Sequence, residues 1–282
     1  MIRFLLLVTL ASLLAPTLAP IQVADPAAAQ VAEPAVARPA DTDAPEPSAA
    51  ARLHAPFDRL LKAHVSDGVV DYAGLKRAVG DLDGYLTDLS KVEPASLDKP
   101  SRFAFWINAY NAFTLKLILE RYPKLESIRD IPGGDRWDAE RWPVHGELFS
   151  LTAIEHEILR PMGDPRIHFA INCASKSCPD LSSDVYLPET LDAQLDAATR
   201  DFLTDPVKGL RTEIDAGFFG TDYELQVSKL FDWFEEDFEQ HSGNVPDYVL
   251  PFASKTDAAF IRAHREDLDL EFLDYDWTLN GR

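Results

Sequence analysis

The sequence predicts an α+β fold: one domain in which a central buried helix packs on a small, mostly antiparallel sheet. Residues 101–121 are apolar on nearly every face, the pattern of a helix at the middle of a domain. Short strand-like stretches at 69–72, 166–171 and 271–277 alternate with amphipathic helical segments. No strand–helix unit repeats, which argues against a doubly wound sheet.

The 282-residue chain opens ahead of this domain. Met1, Ile2 and Arg3 give a positive start, residues 4–14 are almost wholly apolar, and small residues follow. The apolar run is shorter than the ~20 residues a spanning helix needs. It therefore reads as a signal peptide over 1–29, with cleavage after Ala19 or Ala29 and no integral span left afterwards. Residues 30–51 are rich in Ala and Pro with scattered acids, too little bulky apolar surface to offset the entropy of ordering them. They read as a disordered linker, residues 52–282 as the folded domain, and the protein as exported, periplasmic or secreted.

Lys and Arg number 27 against 47 Asp and Glu, a formal charge of −20. Such a surface repels nucleic-acid phosphates and anionic membranes, so no nucleic acid is expected as a partner. A small molecule or a cell-envelope polymer is the expected ligand class. The sequence leaves the oligomeric state open.

Along the domain, residues 53–64 and 75–89 carry helical spacing around the extended piece 69–72. The apolar helix 101–121 is stopped by Tyr122-Pro123. Residues 128–143, with Pro132-Gly133-Gly134, read as an irregular loop and 146–149 as a strand end or turn. A short helix is expected at 150–159, with Thr152 and Glu155 at capping-box spacing and Pro161 just beyond. A strand at 166–171, helices at 191–203, 228–238 and 260–268, and a closing strand at 271–277 complete the expectation.

Three features bear on chemistry. Asn108 and Asn111 lie three apart on one face of the most apolar helix. Buried amides must find partners; they either fasten the helix to a neighbour or orient a ligand. Glu155 falls inside the apolar arc set by Leu151, Ile154, Ile158 and Leu159. A carboxylate there must be paired or protonated, and Arg166 or His168 is the expected partner, in a structural pair or an acid–base one.

The third feature is the run from His168 to Pro179, which leaves the expected strand for a loop of small polar residues. A His168–Cys173 dyad would need the chain to turn at Asn172, and Lys176 could lower the thiol's pKa. Against this stands a Cys173–Cys178 disulfide, since these are the only two cysteines of an exported chain. The spacing is not a zinc pattern, and no metal or cofactor is expected. Phosphate-loop, dinucleotide and nucleophile-elbow motifs are missing from the sequence.

Phe105-Trp106-Ile107-Asn108-Ala109-Tyr110-Asn111-Ala112 is one block of a recognisable set. It continues with residues 150–156 and 164–170, Cys173-Ala174-Ser175, Ser177-Cys178-Pro179, Leu230-Phe231-Asp232-Trp233 and Tyr275-Asp276-Trp277. With these blocks, residues 57–280 resemble the family of domain of unknown function 547. That resemblance implies no established activity. By looser analogy, a buried helix followed by a strand bearing His is similar to the papain and transglutaminase layout. In that layout a Cys opens the helix; here the helix carries Asn108 and Asn111 instead.

Three functions follow as expectations. In one, Cys173 attacks an amide or ester of the cell envelope, and His168 is the base, oriented by Glu155 or Asn172. Asn108 and Asn111 then donate to the carbonyl, with Asn172 and Arg166 as further orienting groups. In the second, the same residues form a structural network around a Cys173–Cys178 disulfide in a binding or scaffold module. In the third, the cysteines exchange thiol and disulfide.

Overall fold

The structure is a computed structural model and describes residues 46–216 and 220–281. The expected signal peptide, and the linker up to residue 45, lie outside the described residues. Helix α1 (Ala49–His64) begins inside the stretch read as linker, capped by Ser48, whose hydroxyl accepts the Ala51 N–H. Phe57, Leu60 and Leu61 are its buried face. A hairpin of β1 (Val65–Ser66) and β2 (Val69–Val70) follows, turning through Asp67 and Gly68, both at positive φ. Helices α2 (Tyr72–Arg77) and α3 (Val79–Leu89) return the chain to α1.

The central helix is α4 (Lys99–Arg121). Asp98 caps it through the Ser101 N–H, and Pro100 occupies its first turn, where no N–H is missed. Every residue from Phe103 to Leu119 except Lys116 is buried. The expected central helix is therefore where the sequence placed it, and the small antiparallel hairpin that carries Trp142 and Phe149 packs on it through Phe113 and Trp106. A helix apolar all round needs cover on every side, and α1, α2 and α3 supply much of it.

Beyond α5 (Gly133–Arg136), a hairpin pairs β3 (Trp142–Val144) with β4 (Glu147–Phe149). Ser150 caps α6 (Leu151–Ala153), which widens into a π-helical turn over Ile154–Leu159 and also packs on α4. After α7 (Leu191–Leu203), β5 (Leu210–Ala216) and β6 (Thr221–Val227) pair antiparallel. Four helices follow: α8 (Leu230–Trp233), α9 (Glu235–Ser242), α10 (Val245–Val249) and α11 (Lys255–Ala263). They lead to β7 (Leu268–Phe272), which joins β6 in parallel. The architecture is mixed α+β, mostly helical with small sheets, and it lends the papain-like analogy no support.

Apolar side chains form two clusters, one around α4 and one containing Phe169, Phe202, Phe231, Phe238 and Tyr248. Residues 165–171 run along the seam: Ile167, Ala170 and Ile171 join the first cluster, Phe169 the second. The strand expected here is instead a 3-10 helix, Pro165–Phe169. Asp164 caps it by accepting the Arg166 N–H, Pro165 takes the first position, and Ile167, His168 and Phe169 are all buried. No exposed face remains for a strand's alternation.

After β7 the chain crosses back as a strap. Its backbone bonds Lys176 N–H to Thr278 O, Ser177 N–H to Asp276 O, and Asn280 N–H to Ala174 O. Leu279 N–H donates to Glu126 O, and Gly281 bridges Val70. Among the described residues no helix is long and apolar enough to cross a membrane.

Candidate functional site

The strap and α4 together shape the loop that carries both cysteines. Asn172 is its anchor: its N–H donates to Asn111 Oδ1 (2.8 Å) and its side-chain amide to Pro179 O (2.7 Å). Its Oδ1 accepts the Ala174 N–H at 2.8 Å, closing a turn in which Ala174 holds φ 62. A left-handed alanine costs about 1 kcal/mol, and the surrounding hydrogen bonds hold it there. The turn does bring Cys173 and Cys178 together, but not as a disulfide. Both are free, their sulfurs 2.9 Å apart against ~2.05 Å for a bond.

The two thiols are unequal. Cys173 is half-buried, and its sulfur is in hydrogen-bond contact with that of Cys178. Ser175 Oγ lies 3.2 Å from the Cys173 sulfur and Tyr275 Oη 3.3 Å. The Cys178 hydrogen bond above all, aided by Ser175 and Tyr275, outweighs burial and lowers the Cys173 pKa. Burial, reinforced by the neighbouring sulfur, raises that of Cys178. Lys176, expected to assist, faces Asp276 at 4.0 Å instead.

Glu155 sits in the π-helical turn, a local widening often found at functional sites. Its Oε2 accepts the Tyr110 hydroxyl at 3.0 Å. Burial pushes its pKa up to about 7; the Tyr110 bond opposes the rise and Cys173 adds to it. Neither expected partner is there. Arg166 is held by Asp164, Asp192 and Asp196, and His168 turns to a residue the sequence did not suggest.

That residue is Asp237 on α9. His168 Nε2 lies 2.7 Å from Asp237 Oδ2, while Arg160 grips the same carboxylate through Nε (2.7 Å) and Nη2 (2.9 Å). Burial would raise the Asp237 pKa, but the bonds from His168 and Arg160 win and hold it well below the usual carboxylate range. Burial lowers the His168 pKa, outweighing Asp237. The two shifts ask for different charges on the ring. The Arg160 fork by itself favours an ionised Asp237, and His168 is 2 % exposed and stacked 4.0 Å from the Phe234 ring. The consistent assignment is a neutral imidazole whose Nε2–H donates to Asp237. Nδ1 then carries a bare lone pair, with no partner among the described residues. The expected His168–Cys173 hydrogen bond is not formed, and neither Glu155 nor Asn172 orients the ring.

Asn108 and Asn111 are committed to backbone. Asn108 donates to Tyr186 O and accepts the Tyr186 N–H (2.8 and 2.9 Å). Asn111 donates to Ala170 O and accepts the Asn172 N–H (2.9 and 2.8 Å). Of the two roles the sequence left open, they fill the fastening one, each through one of its two amide hydrogens.

Residues 94–203 match the family described as "Protein of unknown function, DUF547". This stretch is a DUF547 domain. It holds Asn108, Tyr110, Asn111, Glu155, His168 and both cysteines, whereas Asp237 and Tyr275 lie beyond it. Comparison with curated proteins and with solved structures finds no match.

The DUF547 residues Tyr110, Glu155, His168, Cys173 and Cys178 line one pocket of about 210 Å³, closed by Trp137, Trp233, Phe234, Tyr275 and Trp277. Among the described residues no group of three or more His, Cys, Asp or Glu could hold a metal ion. Sequence reasoning singled out Glu155, His168 and Cys173 but missed Tyr110, Asp237 and Tyr275 as participants. Tyr110 stood between the two asparagines in the longest motif block, and Tyr275 opened the last one. Asp237 lies in the acidic run Glu235, Glu236, Asp237, Glu239, which gives it no distinguishing mark.

Proposed function

We propose that the DUF547 domain performs thiol–disulfide exchange, with Cys173 as the attacking sulfur and Cys178 as the resolving one. The observation that carries this is their 2.9 Å contact with opposed pKa shifts, a half-buried thiol favoured as thiolate beside a buried one favoured as thiol. The Cys173 thiolate attacks one sulfur of a substrate disulfide, forming a mixed disulfide and expelling a thiolate. Glu155, which is half protonated near neutrality on the same pocket wall, supplies the proton that neutralises it. Cys178 then attacks the Cys173 sulfur, its proton passing to the second departing thiolate. The dithiol gives up two electrons, and the substrate leaves as two thiols. Export, as the leader-like residues 4–14 suggest, would place this chemistry where disulfides persist.

A second reading, thiol-dependent acyl transfer or hydrolysis of an envelope amide or ester, is favoured by Glu155 facing the same pocket as the activated thiol. Its weakness is the oxyanion. The N–H groups of Cys173, Ala174, Lys176 and Ser177 are already bonded, and neither Asn108 nor Asn111 lines the pocket.

The test is incubation of the reduced protein with a small disulfide, followed by intact mass. Wild type should end as the internal disulfide, Cys178→Ser as a stable mixed disulfide on Cys173, and Cys173→Ser far slower than either. A wild-type protein that stays reduced under excess disulfide would overturn exchange. Cys173-dependent ester cleavage by the same sample would establish the second reading.

A further inference from the structure

We infer that the pocket beside Cys173 takes a small ligand carrying an organic ammonium group. The inference leans on the exchange reading only for placing the ligand's reactive bond at Cys173. Among the described residues that line the pocket there is no Lys or Arg, although the lining includes Glu155 and, at its rim, Asp138. A carboxylate or phosphate ligand would meet like charge there, and the guanidinium behind Phe234, that of Arg160, is committed to Asp237. A cation meets the opposite, in a chain whose formal charge of −20 draws cations toward it.

The walls are suited to the same charge. Trp277 lies 4.5 Å from Tyr275 and 5.5 Å from Trp233 between ring centroids, an aromatic cluster on the pocket wall, and aromatic π systems attract cations. One of these rings already takes a cation elsewhere on its surface: Arg129 stacks 5.4 Å from Trp277. Arg129 is not part of the pocket lining, so its guanidinium lies outside the cavity.

A third observation is independent of charge. His168 lines the pocket, is 2 % exposed, and leaves Nδ1 without a partner. A buried acceptor left bare costs about 1–3 kcal/mol; solvent does not reach Nδ1 in this structure, so a ligand N–H would recover that cost only with a shift of the ring toward the pocket. A primary or secondary ammonium supplies that donor together with the positive charge. A quaternary one supplies only the charge. The volume of about 210 Å³ limits the occupant to a small molecule or the end of a larger one.

Binding is tested apart from chemistry in the Cys173→Ser/Cys178→Ser double variant, or in reduced wild type if that variant does not fold. Tryptophan fluorescence is titrated with benzylammonium, benzyl alcohol and benzoate, which share a ring and differ in charge. Benzylammonium should bind at least ten-fold tighter than either, and Asp138→Asn should weaken it several-fold. Benzyl alcohol or benzoate binding as well as benzylammonium would overturn the inference.

A second arm separates this from the exchange reading. Reduced wild type is oxidised with cystamine or with 2-hydroxyethyl disulfide, each rate divided by that disulfide's rate with a free small thiol. Ammonium-selective binding with no oxidation by either disulfide would sink exchange and leave the ammonium site standing. Equal normalised rates, with no selectivity in binding, would do the reverse.

Discussion

His168 Nε2 lies 2.7 Å from Asp237 Oδ2, joining the seam between the two apolar clusters to a helix 69 residues further along the chain. The same carboxylate takes the Arg160 fork, so its loss would strand both a buried N–H and a guanidinium. Asp237→Ala should cost about 1–3 kcal/mol, read as a fall of several degrees in Tm. The effect has a definite pH sense. The folded Asp237 pKa is depressed below its ordinary 3.8, so its contribution is full well above that value and is lost as pH falls through the folded value. The Tm gap between wild type and Asp237→Asn should therefore be constant from pH 6 to 7 and narrow on strong acidification. A gap that widens in acid would exclude the ion-pair account.

Cys173 should alkylate with a pH midpoint below that of an ordinary thiol. Cys178→Ala removes the strongest of its hydrogen bonds and should move that midpoint up, slowing iodoacetamide labelling at pH 7 several-fold. Tyr275→Phe should move it the same way by less. An unchanged midpoint in Cys178→Ala would assign the thiol's acidity to some other source.

Glu155 is shifted in the opposite sense from Asp237. Its folded pKa of about 7 exceeds its ordinary 4.5, so ionising it costs the folded state stability as pH rises between those values. Glu155→Gln keeps an acceptor for the Tyr110 hydroxyl and removes that cost. The variant should match wild type near pH 4 and exceed it by about 3 kcal/mol at pH 8. Equal stability at both pH values would mean that the carboxylate is solvated like a surface group.

Asn111→Ala would strand the Ala170 carbonyl and the Asn172 N–H, both buried, at a cost of about 2–4 kcal/mol. Because Asn172 anchors the cysteine turn, this variant should also broaden the Cys173 labelling profile. Asn108→Ala, whose partners lie on Tyr186, should destabilise comparably while leaving the profile alone. A labelling profile altered equally in both variants would contradict the division of labour.

Much of this was legible from residue types. The apolar run announced α4, and the inward position of Glu155 survived although its turn is π-helical rather than α-helical. The mistaken strand at 166–171 came from treating Ile167, Phe169 and Ile171 as one alternating face. Asp164-Pro165 was a readable start signal for a helical turn, and His168 proved as buried as its neighbours. The β5–β6 hairpin went unremarked, its register running from Leu210↔Val227 to Ala216↔Thr221. What could not be read were partners set by tertiary closure. Nothing local pairs Asp237 with His168, or tells Arg166 to prefer three aspartates over Glu155.

The strap over residues 174–177 makes the acidity of one sulfur a gauge of chain closure. Tyr275 reaches Cys173 across 102 residues, and it does so only while the backbone from Asp276 to Asn280 stays bonded to the loop. Loop-closure entropy makes such contacts dependent on the completed fold. A nascent or locally opened chain would therefore lose the Tyr275 share of the activation and carry a slower thiol, while the stronger Cys178 hydrogen bond lies within the loop itself. The far end of the strap is held by Gly281, where any β-carbon would collide with the Val70 carbonyl oxygen. Glycine there, far in sequence from either cysteine, is thus part of what switches the sulfur on.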